Sequence, residues 1–262
     1  MVSNIVSACD PLPTPPLVSP KSSPTYLPKL STTRKAESID KPPSKRVCSI
    51  RNKHVSCLWD RSGSMQNMEE SSLKGLKDTI EEQRNIAASS GNPTRFTLTT
   101  FDSVIERVVD TDDICTVNIN NLADWIAPRG MTRLHDAIID ETLRLVKVVK
   151  KDESGVLIVM TDGADTCSES NADIVRQTLQ QLQSEKAIEC IFMAANIGNA
   201  QVVGSSLGFS EETSITFSPE SSGGAFRCAS QSAVRSMRGG SAAFTQAERQ
   251  TSCGPPIGHS LI

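Results

Sequence analysis

Three short segments of the chain bring together side chains that can do chemistry as a group. Asp60-Arg61-Ser62-Gly63-Ser64 alternates one carboxylate with two hydroxyls directly after an apolar stretch. Three oxygen groups can then turn toward one point, a geometry suited to a small hard cation. Gly130-Met131-Thr132 delivers another hydroxyl at the start of an amphipathic segment, and Thr161-Asp162-Gly163 adds a carboxylate after the most apolar run in the sequence. Each segment alone is ordinary, since Asp-x-Ser and Thr are common at helix starts and Asp-Gly in turns. Taken together, Asp60, Ser62, Ser64, Thr132 and Asp162 form an oxygen-only set of two carboxylates and three hydroxyls. Such a set suits Mg²⁺ or Mn²⁺ rather than zinc or copper, and leaves positions for water or an incoming carboxylate.

The elements that must position these segments follow from the hydrophobic pattern. From Val55 onward, apolar runs of strand length alternate with helical segments, as in βαβ units around a mostly parallel sheet. Strands are expected at 55–59, 95–101, 104–109, 155–161, 188–195 and 213–217, with helices over 69–88, 134–149, 170–184, 200–207 and 223–238. Asp102-Ser103 reads as a tight hairpin, which makes the strand after it the one antiparallel member. The last helix runs into Gly239-Gly240, an expected C-cap. The fold class is therefore α/β: a Rossmann-like, doubly wound, six-stranded sheet, mostly parallel with one antiparallel edge strand and helices on both faces. Open sheets of this kind place ligands outside the carboxyl ends of their strands, and Asp60 and Asp162 fall there.

Composition narrows the function classes. With 262 residues, 37% apolar, 22% charged and a net charge of -3, collagen, coiled coil and wholly disordered chains are excluded. Apolar runs reach only strand length, far short of the roughly 20 residues of a membrane helix. The first twenty residues hold five prolines and no basic n-region, so a secretory signal is not expected and the chain reads as intracellular and cytoplasmic. Nine of the fourteen prolines lie in the first fifty residues, giving an organisation of a disordered, Pro/Ser-rich tail over 1–53, a domain over 54–250 and a flexible C-terminal tail over 251–262. Residues 1–54 carry nine Lys/Arg against three Asp/Glu, and the remainder 18 against 27. The basic stretch Lys41-Pro42-Pro43-Ser44-Lys45-Arg46 leaves nuclear entry open, and Thr14-Pro15, Ser19-Pro20 and Ser23-Pro24 are either kinase sites or plain linker. The acidic domain disfavours nucleic acid as a partner. Eight cysteines are widely spaced with no CxxC, so they read as reduced thiols rather than a zinc site.

The pattern Asp60-x-Ser62-x-Ser64 with the later Thr132 and Asp162 resembles the metal-ion-dependent adhesion site of von Willebrand factor type A domains, and the resemblance extends over roughly residues 55–250. It includes Arg129-Gly130-Met131-Thr132-Arg133-Leu134-His135-Asp136-Ala137-Ile138, Ala194-Ala195-Asn196, Ala243-Phe244-Thr245 and Glu248-Arg249. It implies that Asp60, Ser62, Ser64, Thr132 and Asp162 hold the metal, with Asp162 often acting through water and Thr132 changing between direct and water-mediated contact. It further implies that Asp136 supports the site without ligating. The chain departs from the family in lacking carboxylates at Asn67 and Met68, so an adjacent calcium site is not expected, and in placing Trp59 where an aliphatic residue is usual. Trp125, Arg129, Met131 and Arg133 surround the Thr132 loop as a rim for a partner, although Trp125 fits a core position equally well.

The function expected from this resemblance is a non-enzymatic, monomeric, Mg²⁺- or Mn²⁺-dependent protein-binding module whose ion accepts an Asp or Glu from a partner protein. An assembly subunit of a larger complex, for example with a ring ATPase, remains an alternative. A metal-dependent phosphohydrolase with Asp60 as nucleophile is a weaker one, because Ser62 stands where a second acid is usual and no Lys follows Asp162 at a strand end. No phosphate-loop motif occurs in the sequence, and no His is placed with an obvious Asp partner for a serine hydrolase.

Overall fold

The computed structural model describes residues 52–195 and 198–253, all within one compact unit. Residues 1–51 of the tail expected over 1–53 and the segments 196–197 and 254–262, including Asn196, lie outside the described residues. Six strands form one sheet: β1 (Lys53–Asp60), β2 (Thr94–Phe101), β3 (Ile105–Thr111), β4 (Ser154–Thr161), β5 (Ala187–Ala194) and β6 (Ser214–Thr216). Their order is β3-β2-β1-β4-β5-β6. Only β2 and β3 pair antiparallel, so β3 is the antiparallel edge strand read from the sequence.

Every residue of β1 is buried, because helices cover both of its faces and a doubly covered strand must be apolar or hydrogen-bonded throughout. Successive side chains point to opposite faces of a strand, and the two cores follow that alternation. Val55, Cys57, Trp59, Val156, Ile158 and Met160 pack on one side with α1 (Glu69–Ser90) and α6 (Ser222–Met237). Leu58, Leu157 and Val159 pack on the other with α3 (Leu134–Val148), α4 (Ala172–Glu185) and α5 (Ala200–Leu207). Cys57, Cys190 and Cys228 are buried free thiols, as expected of small hydrophobes. Trp59 stacks on Phe226 of α6 with ring centroids 5.0 Å apart, so the bulky residue beneath the Asp60 loop is accommodated by an aromatic partner. Gly75 lets α1 close on α6, since a Cβ there would stand 2.8 Å from the Phe226 ring.

Two short helices were not anticipated. Helix α2 (Leu122–Ile126) precedes the Thr132 loop, and α7 (Gln246–Cys253) follows α6. The domain limits 54 and 250 are therefore too narrow: β1 starts at Lys53, and residues 251–253, assigned to a flexible tail, complete a helix whose Ser252 is fully buried. Among the described residues no helix is long and apolar enough to cross a membrane.

Candidate metal centre

The sheet order reverses between β1 and β4, which are adjacent and parallel. Chains leave their carboxyl ends in opposite directions at such a point and open a crevice. Asp60 is the last residue of β1, and Asp162 follows the last residue of β4. A chain of hydrogen bonds runs across the crevice. Thr161 Oγ1 donates to Asp60 Oδ2 at 2.6 Å, and the Ser62 amide donates to Asp60 Oδ1 at 2.7 Å. Ser62 Oγ and Ser64 Oγ are 3.1 Å apart, and Ser64 Oγ donates to Asp162 Oδ1 at 2.7 Å. Thr132 comes from the loop before α3. A Cβ placed on Gly163 would stand 3.7 Å from both Ser64 Oγ and Thr132 Oγ1, so these hydroxyls flank the same glycine. All five residues singled out by the sequence thus lie at one end of the sheet.

The electrostatics of the site are unbalanced. Asp60 and Asp162 are both buried, and neither takes part in any described ion pair. Burial pushes the Asp60 carboxyl up to about 6 against the hydrogen bonds from Thr161 and Ser62, and the Asp162 charge pushes the same way. Burial also raises Asp162, opposed by the Ser64 hydroxyl. Asp162 Oδ2 is buried with no hydrogen-bond partner. An orphaned carboxylate oxygen is costly inside a protein, and a cation beside it would satisfy it. The donors are hydroxyls and carboxylates, with no group of three His, Cys, Asp or Glu side chains converging among the described residues. The residues present fit a hard divalent ion completed by water.

Further interactions hold this arrangement in place. The β4–α4 loop caps the start of α3 with side chains: Thr166 Oγ1 accepts from Thr132 N at 2.9 Å, Asp165 Oδ1 from His135 N at 3.2 Å and Ser168 Oγ from Asp136 N at 3.1 Å. Asp136 returns the favour by accepting from the amides of Glu169 and Ser170 at 2.9 and 3.0 Å and from Arg133 Nε at 2.7 Å. Burial works against its ionisation, but the amide of Glu169, Arg133 and Ser170 hold the Asp136 carboxyl down at about 2. None of the described hydrogen bonds of Asp136 goes to the five oxygen-bearing residues. It ties the segment after Asp162 to the helix after Thr132. His135 Nδ1 lies 3.2 Å from the Ser170 carbonyl, a local capping contact rather than a base aimed at the crevice.

The expected rim divides. Met131 is 52% exposed beside the site. Trp125 is a residue of α2, partly buried and packed against the α1-side core, which fits the core alternative while leaving part of the side chain exposed. Arg129 is half-exposed, yet its guanidinium is committed to Asp102 and Glu106. Arg133 is engaged by Asp136 and Glu169. Thr161, Arg61, Asp102 and Glu106 were not singled out from the sequence. The strand-end hydroxyl directly before Asp162 was a visible signal for Thr161, whereas the Arg61 contacts span 41 to 64 residues and leave no spacing to read.

Solved structures place the fold. The von Willebrand factor domain of the type V pili tip protein Mfa5 from Porphyromonas gingivalis superposes with a TM-score of 0.53 at 12% identity, over 70% of this chain and 94% of that one. Proximal thread matrix protein 1 from the mussel byssus, in a structure with a zinc-occupied metal-ion-dependent adhesion motif, gives 0.52 at 15% identity over 68% of this chain and 46% of that one. The PilB minor pilin from Streptococcus sanguinis gives 0.51 at 13% identity, over 71% and 62% of the two chains. The chain thus spans about half of the mussel protein and less than two thirds of the pilin. No protein-family model and no curated protein matches the sequence. The fold is that of the von Willebrand factor type A domain, a mostly parallel six-stranded sheet with one antiparallel strand and helices on both faces.

Proposed function

We propose that this chain is a non-enzymatic, divalent-cation-dependent protein-binding module in which Asp60, Ser62, Ser64, Thr132 and Asp162 hold Mg²⁺ or Mn²⁺ and the ion accepts a carboxylate from a partner protein. The observation that carries this reading is Asp162 Oδ2, a buried carboxylate oxygen without a partner at the mouth of a crevice that also holds a second buried carboxylate. Bound there, the ion supplies positive charge and an exchangeable position for an anionic group. Asp60 is oriented by Thr161 and the Ser62 amide, and Asp162 by Ser64. Thr132 is held through its backbone by Thr166. Ser64 is exposed and Met131 stands beside Thr132, so a partner's acidic side chain can approach from solvent and meet an apolar neighbour. The mussel protein named above holds zinc at its motif. Here the all-oxygen donor set favours harder ions.

The test is thermal unfolding of the full chain in chelator, Mg²⁺, Mn²⁺, Ca²⁺ or Zn²⁺. At a hundredfold excess over Kd a ligand specific for the native state adds about 2.7 kcal/mol, a rise of roughly 5–10 °C for a domain of this size. The rise should appear with Mg²⁺ or Mn²⁺ and vanish in Asp60→Ala. An unchanged melting temperature for the wild-type chain in every ion would overturn the reading. Acidic peptides captured on the Mg²⁺-loaded protein and released by chelator would then define the partner.

A further inference from the structure

Arg61 stands between two of the proposed metal ligands, yet its side chain leaves the crevice. The side chain is 5% exposed and reaches the β2–β3 hairpin, where Nε donates to Asp102 Oδ2 at 2.8 Å and Nη2 pairs with Glu106 Oε2 of β3. Nη1 donates to the Trp125 carbonyl at 3.1 Å. Arg129, three residues before Thr132, converges on the same two acids: Nε on Asp102 Oδ2 at 2.7 Å and Nη2 on Glu106 Oε2 at 2.6 Å. Two arginines and two carboxylates therefore form one quartet in which each guanidinium touches both acids. Backbone contacts run alongside it: Arg61 N to Phe101 O at 2.9 Å, Arg129 N to Arg61 O at 2.6 Å, Gly63 N to Gly130 O at 3.2 Å and Met131 N to Ser103 Oγ at 3.0 Å.

Both arginines come from loops that carry ligands of the proposed site, and both acids come from the β2–β3 hairpin, Asp102 from its turn and Glu106 from β3, which carries none. We infer that Arg61 and Arg129 are positioning residues which, through Asp102 and Glu106, clamp the Thr132 loop against the Asp60–Ser64 loop in the geometry that takes a divalent ion. This inference rests on the metal-binding reading above. The quartet also answers an electrostatic problem. Two cationic side chains flank a site meant for a cation, and pairing them with Asp102 and Glu106 neutralises them and holds them away from it. Charge-assisted, two-pronged contacts of this kind fix direction as well as distance, and Gly130, at φ +70°, lets its loop pass so close to Ser103 that a Cβ would meet Ser103 Oγ at 2.9 Å.

The experiment compares full-length wild type, Arg129→Ala, Arg129→Lys, Thr132→Ala and the Arg129→Ala/Thr132→Ala double variant. Arg129 is chosen because it is half-exposed, whereas removing the buried Arg61 guanidinium risks the fold. Mn²⁺ affinity is read from the free-Mn²⁺ electron paramagnetic resonance signal, at a temperature where melts in chelator show every variant folded. Arg129→Ala should weaken Mn²⁺ binding by about 10-fold or more, the usual effect of losing a group that orients a ligand, and Arg129→Lys should recover part of it. In the Thr132→Ala background the same change should cost less than about threefold, because residues that act as one unit are not additive. Unchanged affinity in Arg129→Ala, even with a lowered melting temperature, would overturn the clamp and leave the metal site standing. A fully additive loss in the double variant would also overturn it. A wild-type chain that binds no Mn²⁺ would remove the metal reading and the clamp with it.

Discussion

Thr161, the last residue of β4, gives its hydroxyl hydrogen to Oδ2 of Asp60, the last residue of β1, across 2.6 Å. The two strands are paired in register up to Trp59 and Met160, so this bond continues the ladder by one rung made of side chains. Replacing Thr161 by Val keeps the shape and removes the donor. Asp60 Oδ2 then loses its side-chain hydrogen bond in a buried setting, a cost of about 1–3 kcal/mol. Urea unfolding in chelator should show that loss, and Mg²⁺ affinity should fall about 10-fold as Asp60 loses its orientation.

Asp162→Asn should act in opposite directions on the metal-free and metal-loaded protein. Burial raises the Asp162 carboxyl above its ordinary range, so the ionised form is unfavourable there without a cation. The amide removes that charge while its oxygen can still accept from Ser64. The melting temperature in chelator should therefore rise, and the increment produced by Mg²⁺ should disappear. A variant that melts lower than wild type in chelator would show that the buried charge is not a burden on the apo fold.

Gly75→Ala pits two known effects against each other. Alanine is favoured over glycine inside a helix by about 1 kcal/mol. A Cβ at residue 75, however, meets Phe226 at 2.8 and 2.9 Å and the Gly223 backbone at 3.0 Å, where the neighbours are a buried ring and a helix main chain. Overpacking of this kind costs about 1–3 kcal/mol, so the clash outweighs the propensity and the urea midpoint should fall.

Acid should destabilise the fold through His54 and Glu153 at the amino-terminal end of the sheet. Burial lowers the His54 pKa below 6.5 against the pull of Glu153, so the native imidazole is neutral at pH 7, with Nε2 2.9 Å from Glu153 Oε2. Burial raises Glu153, but hydrogen bonds from Lys150 N, His54 and Asn52 win and hold it at about 2. Both folded values lie below the unfolded ones. The unfolded chain therefore binds more protons, and stability falls as pH falls: first below 6.5 through His54, then from 4.5 toward about 2 through Glu153. Urea midpoints between pH 7 and 5 should drop for wild type and drop less for His54→Gln, which keeps a donor without titrating.

The sheet was legible because its central strands bury both faces. Gly155 to Met160 reads as one apolar run for that reason, and Asp162 stands out as the first charge after it. Helix α7 was hidden by its composition. It docks through polar contacts, with Ser252 Oγ on the Thr216 carbonyl at 2.8 Å and Arg249 on the carbonyls of Ser214, Glu211 and Glu212, so it has no apolar stripe to read. One local sign was present: Thr245 and Glu248 bond reciprocally at 2.8 and 3.2 Å in a capping box, a Thr-x-x-Glu pattern that marks a helix start. Trp125 fits rim and core equally in the sequence because α2 is only five residues long and leaves no periodicity that tells which side faces inward.

Asp162 is joined through Ser64 to a loop that precedes it by about a hundred residues. Translation at about 5–20 residues per second separates the two halves of the site by roughly 5–20 s. During that interval the nascent chain presents Asp60, Ser62 and Ser64 without their second carboxylate. Ion uptake on this reading is a late event in biogenesis, reporting that β4 has been made and has docked beside β1.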